Sequence, residues 1–497
     1  MASIYDLQPK KNLKRNRFDL SYSKLLTCDM GQLIPVSLDE VVPGDVWNID
    51  NKALVRMQPL VAPILGNINM YVHYYFVPYR LLDDKWENFI TGGVDNDVIE
   101  DVDRWTPTNT AKYSLWDYLG FPVGKKTEVL AFPKKAYNTI YNEYYRDENF
   151  IEEIDIDANE NILRRLWKKD YFTSALPWQQ RGQSATLPVS GGVTNADFTN
   201  MFNPSLSSGL HSLEFKVNGT NPSNVGYVGF EGVSSWAARQ FENAMSQNVV
   251  DLSNIEAFDI NDLRIALSLQ SWMERNARGG IRYTEFLKSH FGVAPRDSRL
   301  QRPEYIGGSY NSILVSEVVQ TSSTDSTSPQ GNLAGHGISY LNGKRSTYKV
   351  QEYGLIMGIM SIVPDAHYQD GVDRSWTRET KYDFYFPDFA NLSEQAILNK
   401  EIYLSENSHD NEIFGYQGRY DEMRIKRNIV TSDMRDTFDY WHLGRKFSSL
   451  PALNQGFLEC NPSKRIFAVQ NEPGFIVSFT NLFDVYRPLP SQPIPSL

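Results

Sequence analysis

Residues 69–77 read NMYVHYYFV, a run of β-branched and aromatic side chains. Three similar runs precede it, at residues 31–38 (GQLIPVSL), 46–49 and 54–60. Turn-forming sequence separates them, with Pro43 and Gly44 after the first run and residues 59–67 before the last. Short runs of this composition, divided by such turns, predict a domain built mainly from β-strands.

The longest apolar run, residues 353–363 (YGLIMGIMSIV), is predicted to be a buried strand within a longer strand region at residues 348–363. It is about half as long as a segment that crosses a bilayer. Residues 1–18 lack the apolar core of a signal peptide. We therefore expect a soluble protein with no membrane partner.

Helical patterns interrupt the predicted strands. They lie at residues 81–90, 133–146, 262–278 and 282–291, and glycines follow three of them, at 92–93, 279–280 and 292. The second pattern carries a tyrosine face made of Tyr137, Tyr141, Tyr144 and Tyr145. A mainly β chain with long helical and irregular loop insertions is consistent with a jelly roll.

Charge is unevenly distributed along the chain. The whole chain carries −11, but residues 1–18 hold five basic side chains and one carboxylate, a net charge of +4, which leaves −15 for the rest. An acidic body cannot coat nucleic acid over its whole surface, so a DNA partner must be neutralised by this arm or by a separate basic protein. The basic residues of the arm are Lys10, Lys11, Lys14, Arg15 and Arg17.

Motifs of the common enzyme classes are missing from the sequence. The seven histidines show no zinc-hydrolase spacing, GxSxG does not occur, and the nearest phosphate-loop candidate, residues 337–344 (GISYLNGK), has the wrong glycine spacing. Two cysteines, Cys28 and Cys460, exclude a disulfide framework and a four-ligand zinc site, and we expect both to be buried free thiols. We predict no catalytic residue and no cofactor.

Residues 155–161 (DIDANEN) begin like a calcium-binding loop, but Glu160 stands where a glycine is required. A regular EF-hand is therefore excluded. A looser structural site for a divalent cation stays open beside the simpler interpretation of a solvated acidic loop.

The most specific segment is residues 277–308, ARGGIRYTEFLKSHFGVAPRDSRLQRPEYIGG. It combines five arginines with aromatic residues, which favours contacts between proteins, because a planar guanidinium both stacks and forms paired hydrogen bonds. We predict an inter-subunit contact in this segment, formed by Arg296, Arg299, Arg302 and Tyr305. Ordinary surface ion pairs are the simpler interpretation of these arginines.

Further ordered segments carry a family resemblance. They are residues 17–21 (RFDLS), 31–44 (GQLIPVSLDEVVPG), 74–81 (YYFVPYRL), 170–187 (DYFTSALPWQQRGQSATL), 373–389 (DRSWTRETKYDFYFPDF), 414–424 (FGYQGRYDEMR), 441–458 (WHLGRKFSSLPALNQGFL) and 487–490 (RPLP). Together with residues 277–308 they resemble the major capsid proteins of the Microviridae, the small single-stranded-DNA phages, and most closely those of the gokushoviruses.

This resemblance implies an eight-stranded antiparallel viral jelly roll. It also implies that about sixty copies assemble into a T=1 icosahedral shell around a circular single-stranded DNA genome. The implied partners are that DNA, a small basic DNA-packaging protein, pilot and scaffolding proteins during assembly, and a host cell-surface receptor. The implied localisation is the virion, with assembly in the host cytoplasm.

Residues 195–259 are rich in Asn, Ser and Gly. A structureless loop of this length is uncommon unless it is functional. The resemblance places here, after the ALPWQQRG segment, the insertion that forms protrusions at the threefold axes. We expect this protrusion, with receptor contact as a further hypothesis, at Asn218, Gly219, Thr220, Asn221 and Asn224.

The chain accordingly divides into five parts. Residues 1–20 form the basic arm, which either is a solvated terminus or contacts DNA or the packaging protein. Residues 21–194 and 260–486 form the jelly-roll core with its loop insertions, on either side of the surface insertion at 195–259. Residues 487–497 form an extended proline-rich tail, which we expect to run over a neighbouring subunit. The alternative functions are a carbohydrate-active enzyme and a lectin-like binding protein.

Overall fold

The structure is a computed structural model that describes residues 14–92, 101–182, 260–280, 282–319 and 333–492. Strands dominate this part of the chain. They are β1 (Asn16–Asp19), β2 (Tyr22–Cys28), β3 (Ile34–Val41), β4 (Val46–Met57), β5 (Ile68–Pro78), β6 (Arg104–Trp105), β7 (Val129–Leu130), β8 (Glu304–Val319), β9 (Leu333–Asn342), β10 (Ser346–Lys349), β11 (Gly354–Pro364), β12 (Glu394–Leu398), β13 (Ile413–Gly418) and β14 (Phe475–Arg487).

Ten of these strands form one large sheet in which every pairing is antiparallel. Its order is β1-β14-β4-β9-β8-β5-β11-β3, with β10 added on β4 and β2 added on β14. Two small separate pairs are β12–β13 and β6–β7. The predicted mainly β, antiparallel jelly-roll class is confirmed. The predicted count of eight strands is not reproduced, since the large sheet has ten among the described residues.

Strand β4 differs from the prediction, which placed separate strands at residues 46–49 and 54–60. β4 is one continuous strand, because the residues between these two segments keep the alternation of a strand, in which successive side chains face opposite sides of the sheet. Asn51 points inward and is buried, whereas Lys52 is exposed. The Ser309 hydroxyl donates a hydrogen bond of 3.2 Å to Asn51 Oδ1, which helps to satisfy the buried amide.

The region at residues 348–363 also differs from the prediction, because it is two strands. β10 pairs with β4, whereas β11 pairs with β5 and β3 in another part of the sheet, so the chain crosses between them at residues 350–353. The buried strand itself is confirmed, since all eleven residues of β11 are buried. Gly358 lies where a Cβ atom would come within 2.7 Å of the Ser37 hydroxyl and 2.8 Å of the Tyr74 ring, so close strand packing explains this glycine.

The main core lies inside the curl of the large sheet. It combines inward residues of β3, β4, β5, β11 and β14 in one cluster. The ring centroid of Phe483 on β14 lies 5.3 Å from that of Trp47 on β4 and 6.2 Å from that of Tyr74 on β5. Three strands separate β14 from β5 in the sheet order, and a flat sheet would hold them about 19 Å apart. The sheet therefore folds over on itself.

Apart from α4, which has 20 residues, the helices are short, and they lie mainly in the connections between strands. The α-helices are α1 (Trp86–Thr91), α2 (Leu115–Tyr118), α3 (Phe132–Ile140), α4 (Ile260–Gly279), α5 (Tyr283–Phe291), α6 (Asn399–Ile402), α7 (Asp421–Arg424) and α8 (Gln455–Leu458). A π-helical turn at Tyr141–Tyr145 continues α3, and 3-10 turns lie at Tyr79–Leu81, Asp297–Leu300, Arg374–Trp376, Lys381–Asp383, Pro387–Phe389, Ser408–Asn411, Ser432–Arg435 and Asp439–Trp441.

The helix predictions are largely confirmed. α4 and α5 match the predicted helices, and left-handed glycines follow each of them, Gly280 at φ +93° and Gly292 at φ +69°. Helix α1 begins later than predicted, because Tyr79–Leu81 forms a separate 3-10 turn. The predicted tyrosine face packs with α2 and β11 into a second core cluster on the outer side of β5.

The chain divides into two compact units, Met1–Arg181 with Glu274–Leu497, and Gly182–Met273. The large sheet belongs to the first unit. The predicted insertion at residues 195–259 lies outside the described residues. Cys28 and Cys460 are both buried and free, as predicted. None of the described helices is long and apolar enough to cross a membrane.

Candidate functional site

A cleft of about 1010 Å³ opens in the first unit between β5, the π-helical turn, residues 165–176 and residues 277–305. The arginine-rich segment that the sequence singled out forms one of its walls. Tyrosines and basic side chains dominate the lining, so we refer to it as the arginine–tyrosine cleft.

The floor of the cleft is the outer face of β5. Because side chains alternate along a strand, Met70, Val72 and Tyr74 enter the main core while Tyr71, His73 and Tyr75 face the cleft. Further rings extend this surface. The ring centroid of Tyr305 lies 5.9 Å from that of His73 and 5.6 Å from that of Tyr75, and the ring centroid of Tyr145 lies 6.0 Å from that of His73.

A hydrogen-bonded chain runs through these rings. Tyr75 donates to the Tyr145 hydroxyl oxygen at 3.3 Å, and the Tyr145 hydroxyl lies 2.8 Å from Nδ1 of His73. Burial, with a smaller effect of the Arg165 charge, lowers the pKa of His73 to about 4. His73 is therefore neutral near pH 7, and its Nδ1 can accept the proton of Tyr145. Burial raises the pKa of Tyr145 to about 12, so this hydroxyl keeps its proton.

Arg165 supplies the positive charge nearest to this aromatic floor. Its guanidinium lies 4.1 Å from the ring centroid of Tyr71, and its Nη1 donates to the Ser361 hydroxyl at 2.8 Å. Within the described ranges, Arg165 forms no ion pair with a carboxylate, and neither does the exposed Lys168. Their charge is thus available to a ligand in the cleft.

The opposite walls hold paired charges. Arg282 Nε lies 2.7 Å from Glu148 Oε1, and Arg302 Nη2 lies 2.6 Å from Asp297 Oδ1. Burial raises the pKa of Glu148, although the Arg282 charge opposes the shift. The lining holds seven arginines and lysines and four carboxylates, and Arg278 is paired with Glu394 outside the lining, which leaves an excess of two positive charges on a chain of net charge −11. Such a cleft suits a ligand that carries negative charge and flat rings.

The four residues of the predicted inter-subunit contact lie in two places. Tyr305 and Arg302 line the cleft, and the guanidinium of Arg302 is half-buried, paired with Asp297 and 5.2 Å from the ring centroid of Tyr144. Arg296 and Arg299 lie outside the cleft on either side of Asp297, and both are exposed. Arg302 thus has an internal partner, whereas Arg296 and Arg299 present their side chains to solvent. Their inter-subunit role stays a prediction.

The basic arm is described only from residue 14 onward. Arg17 lies in β1, where its Nε is 2.6 Å from Asp484 Oδ1 of β14. Arg15 donates from Nε to the Gly44 carbonyl at 2.7 Å, and Lys14 is exposed. Lys10 and Lys11, like the five predicted receptor residues from Asn218 to Asn224, lie outside the described residues. All these contacts to partners stay predictions.

The C-terminal tail begins at an ion pair that the sequence did not predict. Arg487 Nη2 lies 2.7 Å from Oδ2 of the fully buried Asp45, which also accepts a hydrogen bond of 3.1 Å from Trp47 Nε1. Asn16 Nδ2 then donates to the Leu489 carbonyl at 2.7 Å. The tail is therefore anchored at its start, residues 493–497 are outside the described part, and a path over a neighbouring subunit stays a prediction.

The acidic loop at residues 155–161 uses its oxygens internally. Asp155 Oδ1 accepts from the backbone N–H of Asp157 at 2.8 Å, and Glu160 Oε1 accepts from Trp105 Nε1 at 2.7 Å. In the part of the chain that the structure describes, no group of three or more His, Cys, Asp or Glu side chains is arranged to hold a metal ion.

Sequence reasoning did not find the floor of the cleft. The alternation in NMYVHYYFV is a signal that Tyr71, His73 and Tyr75 share one face, but the sequence alone predicts only a strand and does not show what this face contacts. Arg165 is distant in sequence and offers no pattern of its own.

Comparison with known proteins agrees with the family resemblance of the segments quoted above. Residues 8–497 match the family described as capsid protein (F protein). Capsid protein VP1 of Chlamydia phage 1 is 36% identical, with 100% of this chain and 98% of that protein covered. Capsid protein VP1 of Bdellovibrio phage phiMH2K is 35% identical (98% and 96% covered), and that of Spiroplasma virus 4 is 31% identical (100% and 98% covered).

A match of this extent defines the class of the protein as a phage capsid protein, which is structural and not enzymatic. The chain belongs to the capsid protein family of the Microviridae and, by its relatives, to the gokushovirus type. Self-assembly into a capsid and localisation in the virion follow from this membership. The carbohydrate-active alternative predicted from the unmarked carboxylates is therefore set aside.

Proposed function

We propose that the chain is the building unit of a T=1 icosahedral shell of about sixty copies that encloses a circular single-stranded DNA genome. The observation that carries the proposal is the match along the whole chain, which covers 98% of the capsid protein VP1 of Chlamydia phage 1. The curled antiparallel sheet supports it, because a mainly antiparallel sheet that folds over its own core is typical of jelly-roll capsid proteins.

The genome contact is proposed at two places. Lys10, Lys11, Lys14 and Arg15 in the arm provide positive charge, while Arg17 is already paired with Asp484. The arginine–tyrosine cleft adds an aromatic floor with Arg165 above it, and stacking with basic side chains is how proteins bind single strands without sequence preference. Because the remaining chain is acidic, a small basic packaging protein is proposed to neutralise most phosphates.

The insertion at residues 195–259 is proposed to form the outer protrusion at the threefold axes. Its Asn-, Ser- and Gly-rich composition supports this, since exposed loops that tolerate sequence change often carry recognition. Host receptor contact is proposed there, at Asn218, Gly219, Thr220, Asn221 and Asn224. Pilot and scaffolding proteins are proposed to act during assembly in the host cytoplasm.

Electron microscopy of the purified full-length protein, expressed with and without a circular single-stranded DNA, tests the proposal. Uniform shells that protect DNA from nuclease are the expected result. Dispersed subunits at high concentration would contradict the shell, and shells that never protect DNA would contradict the packaging role alone.

A further inference from the structure

We propose that an exposed aromatic surface at residues 376–386 binds a second copy of this chain, an inference that rests on the proposed shell and names one of its subunit contacts. We refer to it as the aromatic ledge. It consists of Trp376, Tyr382, Phe384, Tyr385 and Phe386.

The ledge exposes an unusual amount of aromatic surface. Trp376 is 83% exposed, Tyr382, Phe384 and Tyr385 are each more than half exposed, and Phe386 is 42% exposed. Single exposed apolar residues are normal on a protein surface, whereas a group of large rings within eleven residues marks a contact surface. Aromatic side chains with arginines are also the composition of the energetically dominant parts of protein interfaces.

The backbone under the ledge is held in place by hydrogen bonds. Arg419 Nη2 donates to the Tyr382 carbonyl at 2.8 Å, and the Tyr420 hydroxyl donates to the Phe384 carbonyl at 3.0 Å. At the 3-10 turn Lys381–Asp383, Asp383 Oδ2 accepts from the Thr380 backbone N–H at 2.7 Å and from its hydroxyl at 2.9 Å. These bonds hold the segment in place while its rings face outward.

Ion pairs within the chain anchor the same segment to buried glutamates beneath it. Arg374 Nη1 lies 3.0 Å from Oε1 of the buried Glu401, which also accepts a hydrogen bond of 3.0 Å from the Tyr171 hydroxyl. Arg378 Nη2 lies 3.4 Å from Oε1 of the buried Glu422, and its guanidinium is 5.3 Å from the ring centroid of Phe384. A surface that is already ordered before binding loses little conformational entropy when a partner covers it.

The chemistry of the ledge favours a protein over nucleic acid. Residues 376–386 contain Arg378 and Lys381 against Glu379 and Asp383, so the segment has no net positive charge with which to attract phosphates. A second copy is the partner that the family provides, because each capsid subunit must cover surface with other copies of itself. The ledge therefore provides an ordered apolar contact in addition to the exposed arginines.

The test uses the full-length chain with Trp376→Ala and Phe384→Ala combined. Because both side chains are mostly exposed, the subunit should fold normally, with an unchanged circular dichroism spectrum and thermal midpoint. We expect the fraction of protein that sediments as shells to fall at least tenfold. The aromatic-preserving variant Trp376→Tyr with Phe384→Tyr should keep at least half of the wild-type fraction.

Leu25→Ala with Ile476→Ala is the matched control, because these exposed residues lie on the large sheet, away in sequence from the ledge. Wild-type shell yield from the alanine variant of the ledge would overturn the inference, and so would an equal loss in the control or a lowered thermal midpoint. Shells that form normally but lack protected DNA would show that the ledge contacts the genome, which also overturns it. If wild-type protein forms no shells, the proposed function itself fails.

Discussion

Tyr74 on β5 donates a hydrogen bond of 3.0 Å to Asn481 Oδ1 on β14, although three strands lie between these two strands in the sheet. Asn481 Nδ2 in turn donates to the Val36 carbonyl of β3 at 3.1 Å. One fully buried side chain thus joins three strands from different parts of the sheet order. The hydrogen bond between Tyr74 and Asn481 lies inside the curl of the sheet. Its loss leaves Asn481 Oδ1 without a donor in an apolar core.

Replacing Tyr74 by Phe should lower the free energy of unfolding by about 1–3 kcal/mol, because Asn481 Oδ1 loses its donor while buried. Urea unfolding followed by tryptophan fluorescence measures the change. Tyr310→Phe is the control, since Tyr310 is 73% exposed and should change the free energy by less than about 0.5 kcal/mol. Equal stabilities of the two variants would show that the buried bond contributes nothing.

The ion pair between Arg487 and Asp45, which anchors the start of the C-terminal tail, predicts a larger loss of stability. Arg487→Met leaves the fully buried Asp45 carboxylate without its cation and should lower the free energy of unfolding by about 3–5 kcal/mol. The matched control is Arg17→Met on the neighbouring strand, where the arginine side chain is 67% exposed and its loss should change little. A small effect of Arg487→Met in denaturant titration would mean that water reaches Asp45.

His73 predicts a pH dependence of stability. Its pKa is about 4 in the folded chain, below the ordinary value of 6.5, because burial and the Arg165 charge disfavour the imidazolium. Between pH 6.5 and 4 the unfolded chain binds a proton that the folded chain does not, so stability is full above pH 6.5 and falls as the pH drops toward 4. The free energy of unfolding that His73 causes to be lost over this pH range is about 3 kcal/mol.

The variant His73→Gln should remove this part of the pH dependence while other groups keep theirs. The measurement is the free energy of unfolding of both proteins at intervals from pH 7 to pH 4. The difference between them should change in favour of the variant as the pH falls. A constant difference over the range would contradict the assigned neutral state of His73.

The arginine–tyrosine cleft predicts binding of single-stranded DNA. Arg165→Gln removes the cation above Tyr71 and should weaken the binding of a labelled oligo(dT) about tenfold, with a smaller salt dependence. Fluorescence anisotropy at two salt concentrations measures both. Lys52→Gln, at an exposed lysine of β4, is the control and should bind like the wild type. Equal losses in both variants would indicate only a general charge effect.

The two exposed arginines, Arg296 and Arg299, test the predicted inter-subunit contact more clearly than all four of its residues together. Arg296→Ala with Arg299→Ala should leave a folded subunit that forms few shells, if these side chains contact a neighbour. Arg302 is left intact, because its pair with Asp297 would make a folding defect hard to separate from an assembly defect. Normal particle yield, counted by electron microscopy, would contradict the predicted contact.

Much of the strand and helix pattern was predictable because it depends on local sequence. The tyrosine face, which spans α3 and the π-helical turn after it, and the glycine ends of α4 and α5 follow from helical spacing and backbone conformation. Strand β4 was predicted as two strands, because polar residues interrupt its β-branched and aromatic composition between residues 49 and 54. Only the packing of Asn51 against Ser309 of β8 shows why the strand continues.

The sequence by itself determined the β-rich class, the positions of most strands and the buried state of residues 354–363, because alternation and apolar content act over a few neighbouring residues. Only the tertiary structure decided that the sheet curls until Tyr74 reaches Asn481, that Arg165 lies over Tyr71, and that Arg487 reaches Asp45. Each of these contacts joins residues between about 90 and 440 positions apart, and their closeness depends on how the whole sheet folds over.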